Sequence, residues 1–282
     1  MENILSVRVV GVGGGVADHV EDTPKGWVAG RRRVIVLVHG YNNTEKDAKE
    51  SYRDFTQHLQ GYAQLLDLGQ FFWPGDANLG FLSALSYPFE IKDAKESAAR
   101  LAEFFAAAQG PQGTPMELNC VCHSLGCRLL LEVLRMVHQG KVNEWPEVRW
   151  VCLMAAAVQV DMVESGGDFE PGAHLAKHSI VLYSPADKVL HYAFPIGQTA
   201  AFEGFFPAAV GRFGRPASLT PYRVEMGGND HSDYWSDPRS AEVVASFLGA
   251  SVPRSLPARM LPLRRDSEER ALESRNVGEE GA

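Results

Sequence analysis

The sequence predicts an α/β fold in which a mostly parallel sheet carries helices on both faces. Three observations lead there. Short runs of β-branched and apolar residues, bounded by glycine, proline and asparagine, recur along the chain as buried strands do. Segments with apolar residues at helical spacing lie between them. And within Met116 to Val137, MELNCVCHSLGCRLLLEVLRMV, a buried strand breaks straight into a helix at Cys122-His123-Ser124-Leu125-Gly126.

Taken in order, Ile4 to Val10 predicts a strand, broken by the glycines from Gly11 to Gly15. A dinucleotide fingerprint would need a third glycine at position 16 and a helix after it. Val16 stands there and Pro24, Gly26 and Gly30 follow, so the stretch reads as a flexible turn. Val34 to Val38 is a continuous β-branched and aliphatic run of the kind buried on both faces of a parallel sheet, and it ends in His39-Gly40-Tyr41-Asn42-Asn43. Thr44 and Asp47 form a capping box ahead of a helix whose buried face is Ala48, Tyr52, Phe55 and Leu59. Leu68 to Trp73 is a strand stopped by Pro74-Gly75, and the residues up to Pro88 read as loop. Ala94, Ala98, Leu101 and Phe105 mark a helix from Asp93 to Gln109. After the strand and helix around Ser124, strands are expected at Val148 to Met154, Ser179 to Tyr183 and Tyr222 to Met226. Asp237 as N-cap with Pro238 at the first helical position opens a last helix. Strands alternating with helices imply right-handed crossovers and a parallel sheet.

The length of 282 residues suits one α/β domain, read as residues 1–251, followed by a tail. The tail, 252–282, is poor in aliphatic residues, holds balanced Arg and acidic side chains, and is expected to be disordered. Leu190 to Ser218, rich in Phe, Gly and Pro, reads either as a lid or pocket-lining insertion or as a loop packed on the core. A net charge of −8 argues against nucleic acid and anionic membrane surfaces, which reward clustered Lys and Arg. Arg31-Arg32-Arg33 is the one basic cluster and leads into a strand. No apolar run is long enough for a transmembrane segment, and the first residues lack the charged and apolar regions of a secretory signal, so a cytoplasmic location is expected. Cys120, Cys122, Cys127 and Cys152 fall in or beside buried elements and lack paired ligand spacing. Neither a metal nor a cofactor is expected.

The turn at Ser124 has the form of a nucleophile elbow, which pushes a serine hydroxyl out above a sheet beside a helix N-terminus. It needs compact residues two before and two after the serine. Gly126 satisfies this, and Cys122, larger than the usual glycine, raises the expectation of local strain or a shifted helix. A serine hydroxyl is a weak nucleophile, so acyl transfer requires a base to take its proton and an acid to hold the base's tautomer. His231, in the loop past the last strand, is the favoured base. His138, His174, His178 and His191 occupy less suitable positions. Asp187, just beyond the Ser179 to Tyr183 strand, is the favoured acid, with Asp161, after the Val148 to Met154 strand, as alternative. Charge developing on the substrate oxygen would be met by the amide of Leu125 and by that of Tyr41, with Asn42 as alternative. His39 is expected to brace that loop by hydrogen bonding.

Together and in this order, VIVLVHGYNNTEKDA, FFWPGD, CHSLGCRLLLEVL, LMAAAVQVDMV, IVLYSPADKVL and GGNDHSDYW resemble the α/β-hydrolase superfamily, and within it a bacterial group of serine hydrolases with an H-G-Y-N-N motif. The resemblance spans roughly residues 33 to 249. It implies the α/β-hydrolase fold and a serine hydrolase with Ser124 as nucleophile and His231 as base. Cys122 departs from the pattern, as does AAVQVD where relatives tend to carry a proline-containing strand end; the latter weakens any role for Asp161. The expected substrate is a small or lipid-like acyl compound, ester or thioester. The competing expectations are acyl transfer on the same fold and a catalytically idle fold used as a binding module.

Overall fold

The structure, a computed structural model, describes residues 2–9, 15–41, 44–60, 67–75, 87–108, 110–214 and 222–248. Its elements are β1 (Asn3–Arg8), β2 (Val16–Thr23), β3 (Arg33–Val38), α1 (Glu45–Gln60), β4 (Asp67–Phe72), α2 (Tyr87–Ala107), β5 (Glu117–His123), α3 (Leu125–His138) and β6 (Glu147–Met154). They continue through the short helices α4 (Val160–Val163) and α5 (Glu170–Ala173), β7 (His178–Tyr183), α6 (Phe194–Ala200), α7 (Val210–Phe213), β8 (Tyr222–Glu225) and α8 (Pro238–Phe247).

The eight strands form one sheet in the order β2-β1-β4-β3-β5-β6-β7-β8. All neighbours are parallel except β2, which runs antiparallel to β1 at the edge. This is the α/β-hydrolase fold. Strand periodicity sets its layers, because successive side chains point to opposite faces. Val34, Val36 and Val38 of β3 join Cys120 and Cys122 of β5 in one core, with Leu101 and Phe105 of α2 and Leu129 and Val133 of α3. Ile35 and Leu37 face the other way, into a second core with Val121, with Tyr52 and Phe55 of α1, and with Val243 and Val244 of α8. A strand buried on both faces has no polar side to show, which is why these strands read as unbroken apolar runs.

Topology also decides where a ligand can approach. After β3 the chain adds β4 on one side and then crosses back to add β5, β6, β7 and β8 on the other. The carboxyl ends of β3 and β5 therefore flank a switch point, where crossover connections diverge and leave a crevice. His39 follows β3 and Ser124 follows β5, in register through Val38 and Cys122.

The capping box is formed: Asp47 N–H donates to Thr44 Oγ1 at 3.2 Å, and Thr44 N–H donates to Asp47 Oδ2 at 3.2 Å. Asp237 caps α8, accepting from the Arg239 amide at 2.9 Å. Three expectations differ from what forms. β2, VADHVEDT, is a strand that the sequence reading treats as connection; it lies at the sheet edge, largely in solvent, so no apolar run marks it. The helix expected from Asp93 begins at Tyr87, because Pro88 sits in the first turn, where its missing N–H costs nothing. And 189–200 is helical rather than irregular, a π-type turn at Val189–Ala193 running into α6. Residues 10–14 of the glycine-rich stretch, 76–86 and the tail 252–282 lie outside the described residues. Among the described residues, no helix is long and apolar enough to cross a membrane.

Candidate active site

Ser124 lies between β5 and α3 with φ 53° and ψ −123°, a left-handed backbone that an L residue adopts at a cost of about 1–3 kcal/mol. Hydrogen bonds from both sides enforce it. The Ser124 amide donates to the Met154 carbonyl at 3.0 Å, and the Ser124 carbonyl accepts from Cys127 at 3.0 Å and Ala157 at 3.2 Å. The crowding that an elbow implies falls on the far side of the serine. A Cβ on Gly126 would stand 2.3 Å from the His39 carbonyl oxygen and 2.8 Å from that of Val38. A Cβ on Gly40 would meet Ser124 Cβ at 2.7 Å. Cys122, fully buried beside Val38 and Leu153, keeps an ordinary strand backbone, so the strain anticipated there is carried by Ser124 instead.

The hydroxyl of Ser124 is 2.7 Å from His231 Nε2, and His231 Nδ1 is 2.8 Å from Asp187 Oδ2. A carboxylate only accepts, so Nδ1 carries the proton and Nε2 is left as the acceptor facing the serine. Asp187 is fully buried just past β7; its Oδ1 accepts from the Leu190 amide at 2.9 Å. Each carboxylate oxygen thus has a donor, which is what a buried acid requires. Asp161 is exposed in the first turn of α4. Of the two acids weighed, Asp187 is the one bonded to His231.

His39 is buried and braces the opposite rim. Its Nδ1–H donates to the Gly40 carbonyl at 2.8 Å, and its Nε2 accepts from the Trp73 amide at 3.3 Å. The ring stacks on Trp73 at 5.5 Å between centroids, and Trp73 Nε1–H donates back to the His39 carbonyl at 2.9 Å. Burial pushes its pKa down to about 3, so both nitrogens are committed in the neutral form. The Tyr52 hydroxyl ties the loop to the sheet, accepting from the His39 amide at 2.6 Å and donating to the Phe71 carbonyl at 2.8 Å. Tyr41 follows directly and packs against the core. Leu125 opens α3, so its amide has no intrahelical acceptor. Asn42 lies outside the described residues.

Two features escape a reading of the sequence. His123, the residue before the serine, is buried with its Nε2 2.8 Å from the carbonyl oxygen of His231. Its one sequence signal is a polar side chain at the end of a buried strand. Arg128, four residues into α3 and 1% exposed, is ion-paired to Glu203 and to Glu132. Glu203 belongs to the aromatic-rich segment, which divides in two: Leu190, Phe194 and Val210 are core residues, whereas Phe202 and Phe205 are 97% and 84% exposed. Its residues 215–218 lie outside the described residues.

A mostly parallel sheet with a serine at a strand-to-helix elbow, faced by a histidine and a buried aspartate from later strand ends, defines a protein of the α/β-hydrolase class. A family model described as an alpha/beta hydrolase of unknown function (DUF900) matches residues 26–202, more than half of the chain, and the chain belongs to that family. The match takes in Ser124 and Asp187 and ends before His231. Among solved structures, a hyperthermophilic esterase from the archaeon Pyrobaculum calidifontis aligns over 78% of this chain and 76% of its own, with 13% identity and a TM-score of 0.42. Acyl-protein thioesterase 2 of Zea mays aligns over 78% of this chain and 93% of its own, with 13% identity and a TM-score of 0.42. No curated protein matches in sequence.

Proposed function

We propose that the protein is a serine hydrolase that cleaves a carboxylic ester or thioester through an acyl-enzyme. The observation that carries this reading is the chain of two hydrogen bonds, Ser124 Oγ to His231 Nε2 and His231 Nδ1 to Asp187, assembled at the strand ends around a strained serine. In this reading Ser124 Oγ attacks the acyl carbon as its proton passes to His231 Nε2, and Asp187 stabilises the imidazolium that results. The carbonyl π electrons move onto oxygen, where the amides of Leu125 and Tyr41 receive the negative charge. Collapse expels the alcohol or thiol, which takes the proton from His231. Water, deprotonated by the same nitrogen, then attacks the acyl-serine and releases the acid, restoring Ser124.

The acyl group proposed is apolar and lipid-like, on the strength of a phenylalanine-bearing segment tied to the residues that follow β6. Residues 156–160 follow β6 and bond to Ser124 through Ala157; they also pair with 208–211, through Val160 N–H to Ala208 O at 3.0 Å and Val210 N–H to Val158 O at 2.8 Å. The phenylalanine-bearing segment therefore runs along the β6 side of the crevice. The single sheet through the described residues supports reading 1–251 as one domain.

A fluorophosphonate probe with peptide mapping tests the reading. The expected adduct is on Ser124 and disappears in His231→Ala. A folded protein that takes no adduct overturns the proposal.

A further inference from the structure

His231 sits in a loop without regular structure, yet its Nε2 must be held to a few tenths of an ångström from a serine on another strand. Within the loop, His231 N–H donates to Asp230 Oδ1 at 3.0 Å, Asp230 N–H to Asp233 Oδ2 at 2.7 Å, and Asn229 Nδ2 to Asp237 Oδ2 at 2.9 Å; Ser184 Oγ–H to the Gly227 carbonyl at 3.1 Å and Lys188 N–H to Asp230 Oδ1 at 3.4 Å tie it to the end of β7. Such contacts shape the loop without relating it to β5. Apart from the Ser124–His231 bond itself, the hydrogen bond among the described residues that does so is the 2.8 Å one between His123 Nε2 and the His231 carbonyl. A carbonyl only accepts, so Nε2 bears the proton and Nδ1 is a bare acceptor. Among the described residues, Nδ1 is buried with no hydrogen-bond partner. It points at Gly40, where a Cβ would stand 2.9 Å away. The ring is boxed in by His231 at 5.0 Å, Tyr234 at 6.0 Å and Trp235 at 5.9 Å, all from the loop it holds.

We infer that His123 is a positioning residue that sets the spacing between nucleophile and base. It is bonded covalently to Ser124 and through Nε2–H to the backbone of His231, so one rigid ring and one peptide unit link the two reacting groups. Burial also lowers the His123 pKa to about 3, so the ring keeps its single-donor form while His231 cycles through its own proton transfers. The inference rests on reading Ser124 and His231 as nucleophile and base.

Glutamine places an amide N–H near the reach of histidine Nε2, whereas asparagine reaches only as far as Nδ1. The test compares His123→Gln with His123→Asn, using p-nitrophenyl butyrate as probe. Asparagine should lower kcat about 100-fold with KM changed less than about threefold, the size of loss that an ångström of misplacement causes. Glutamine should recover at least about tenfold of it. Retention of kcat within about threefold in the asparagine variant overturns the inference, as does an equal fall in both. His123→Leu, which has no donor at all, replaces asparagine if that variant is unfolded by circular dichroism. A second readout needs no turnover: the low-field proton resonance of His231 Nδ1–H bonded to Asp187 should persist in wild type and glutamine and broaden away in asparagine. If the wild type neither hydrolyses the ester nor takes the fluorophosphonate, the hydrolase reading fails, and the resonance alone decides: its persistence in asparagine overturns the positioning role.

Discussion

Asp187 Oδ2 and His231 Nδ1 lie 2.8 Å apart, brought together from 44 residues' separation by the parallel pairing of β7 and β8. The acid is fully buried and the histidine side chain 14% exposed, and the bond fixes both the ring's tautomer and its orientation. Asp187→Asn should cut kcat by about 10³–10⁴-fold, since an amide at that position can present the wrong partner to Nδ1. Asp161→Asn should stay within about twofold. Parallel kinetics on the two variants check this, and a collapse in Asp161→Asn alone would reverse the assignment.

Gly126 is the tightest point of the elbow. A methyl there meets two backbone carbonyl oxygens, neither of which can swing aside as a side chain would. Gly126→Ala should destabilise the protein by about 1–3 kcal/mol, the usual range for overpacking, and slow labelling of Ser124 as the first turn of α3 is pushed outward. Urea unfolding and labelling rates measure both; an alanine variant of unchanged stability would mean that helix and strand are not in this contact.

The buried guanidinium of Arg128 is held between Glu203 and Glu132, with Nη2 2.9 Å from Glu203 Oε1. Burial would raise the Glu203 carboxyl, but hydrogen bonds and charge from Arg128 and Lys95 outweigh it and hold the pKa below its ordinary value. Arg128→Leu leaves carboxylates without their buried partner and should cost about 3–5 kcal/mol. Because Glu203 carries the segment beside the crevice, the loss should also appear as faster proteolysis near Phe202. Urea midpoints and limited proteolysis are the measurements; a loss under about 1 kcal/mol would show that the pair is near neutral.

His39 and His123 are both held neutral by burial, each with a pKa of about 3 against an ordinary value of 6.5. The unfolded chain binds protons at these positions below about pH 6.5 while the folded chain does not, so stability is fully present above pH 6.5 and is lost as pH falls toward 3. The slope is about 1.4 kcal/mol per pH unit for each histidine. Denaturant titrations at pH 7 and pH 5 should differ accordingly, and His39→Gln, which removes one titrating group, should flatten the dependence. A profile indifferent to that substitution would contradict the account.

The strand and helix alternation from β3 onward is legible in the residues, because strands buried on both faces and helices with one apolar face leave unambiguous periodic signals. The elbow is legible as well, since only a few residues join the Cys122 strand to the Leu125 helix. Local chemistry sufficed for the capping box at Thr44 and for the Asp237 cap. It could not mark β2, whose charged residues face water at an edge, nor the turns of 189–200, where Gly, Pro and aromatic residues obscure helical periodicity. The candidate site divides along the same line. The order Ser124, Asp187, His231 and their places near strand ends were legible, because connections in a parallel sheet bring those ends to one side. Which aspartate meets His231, and that His123 grips the His231 backbone from 108 residues away, are set by long-range packing. Hydrogen bonds between distant loops depend on sub-ångström placement by the packed sheet beneath them, and no periodicity in the chain records that placement.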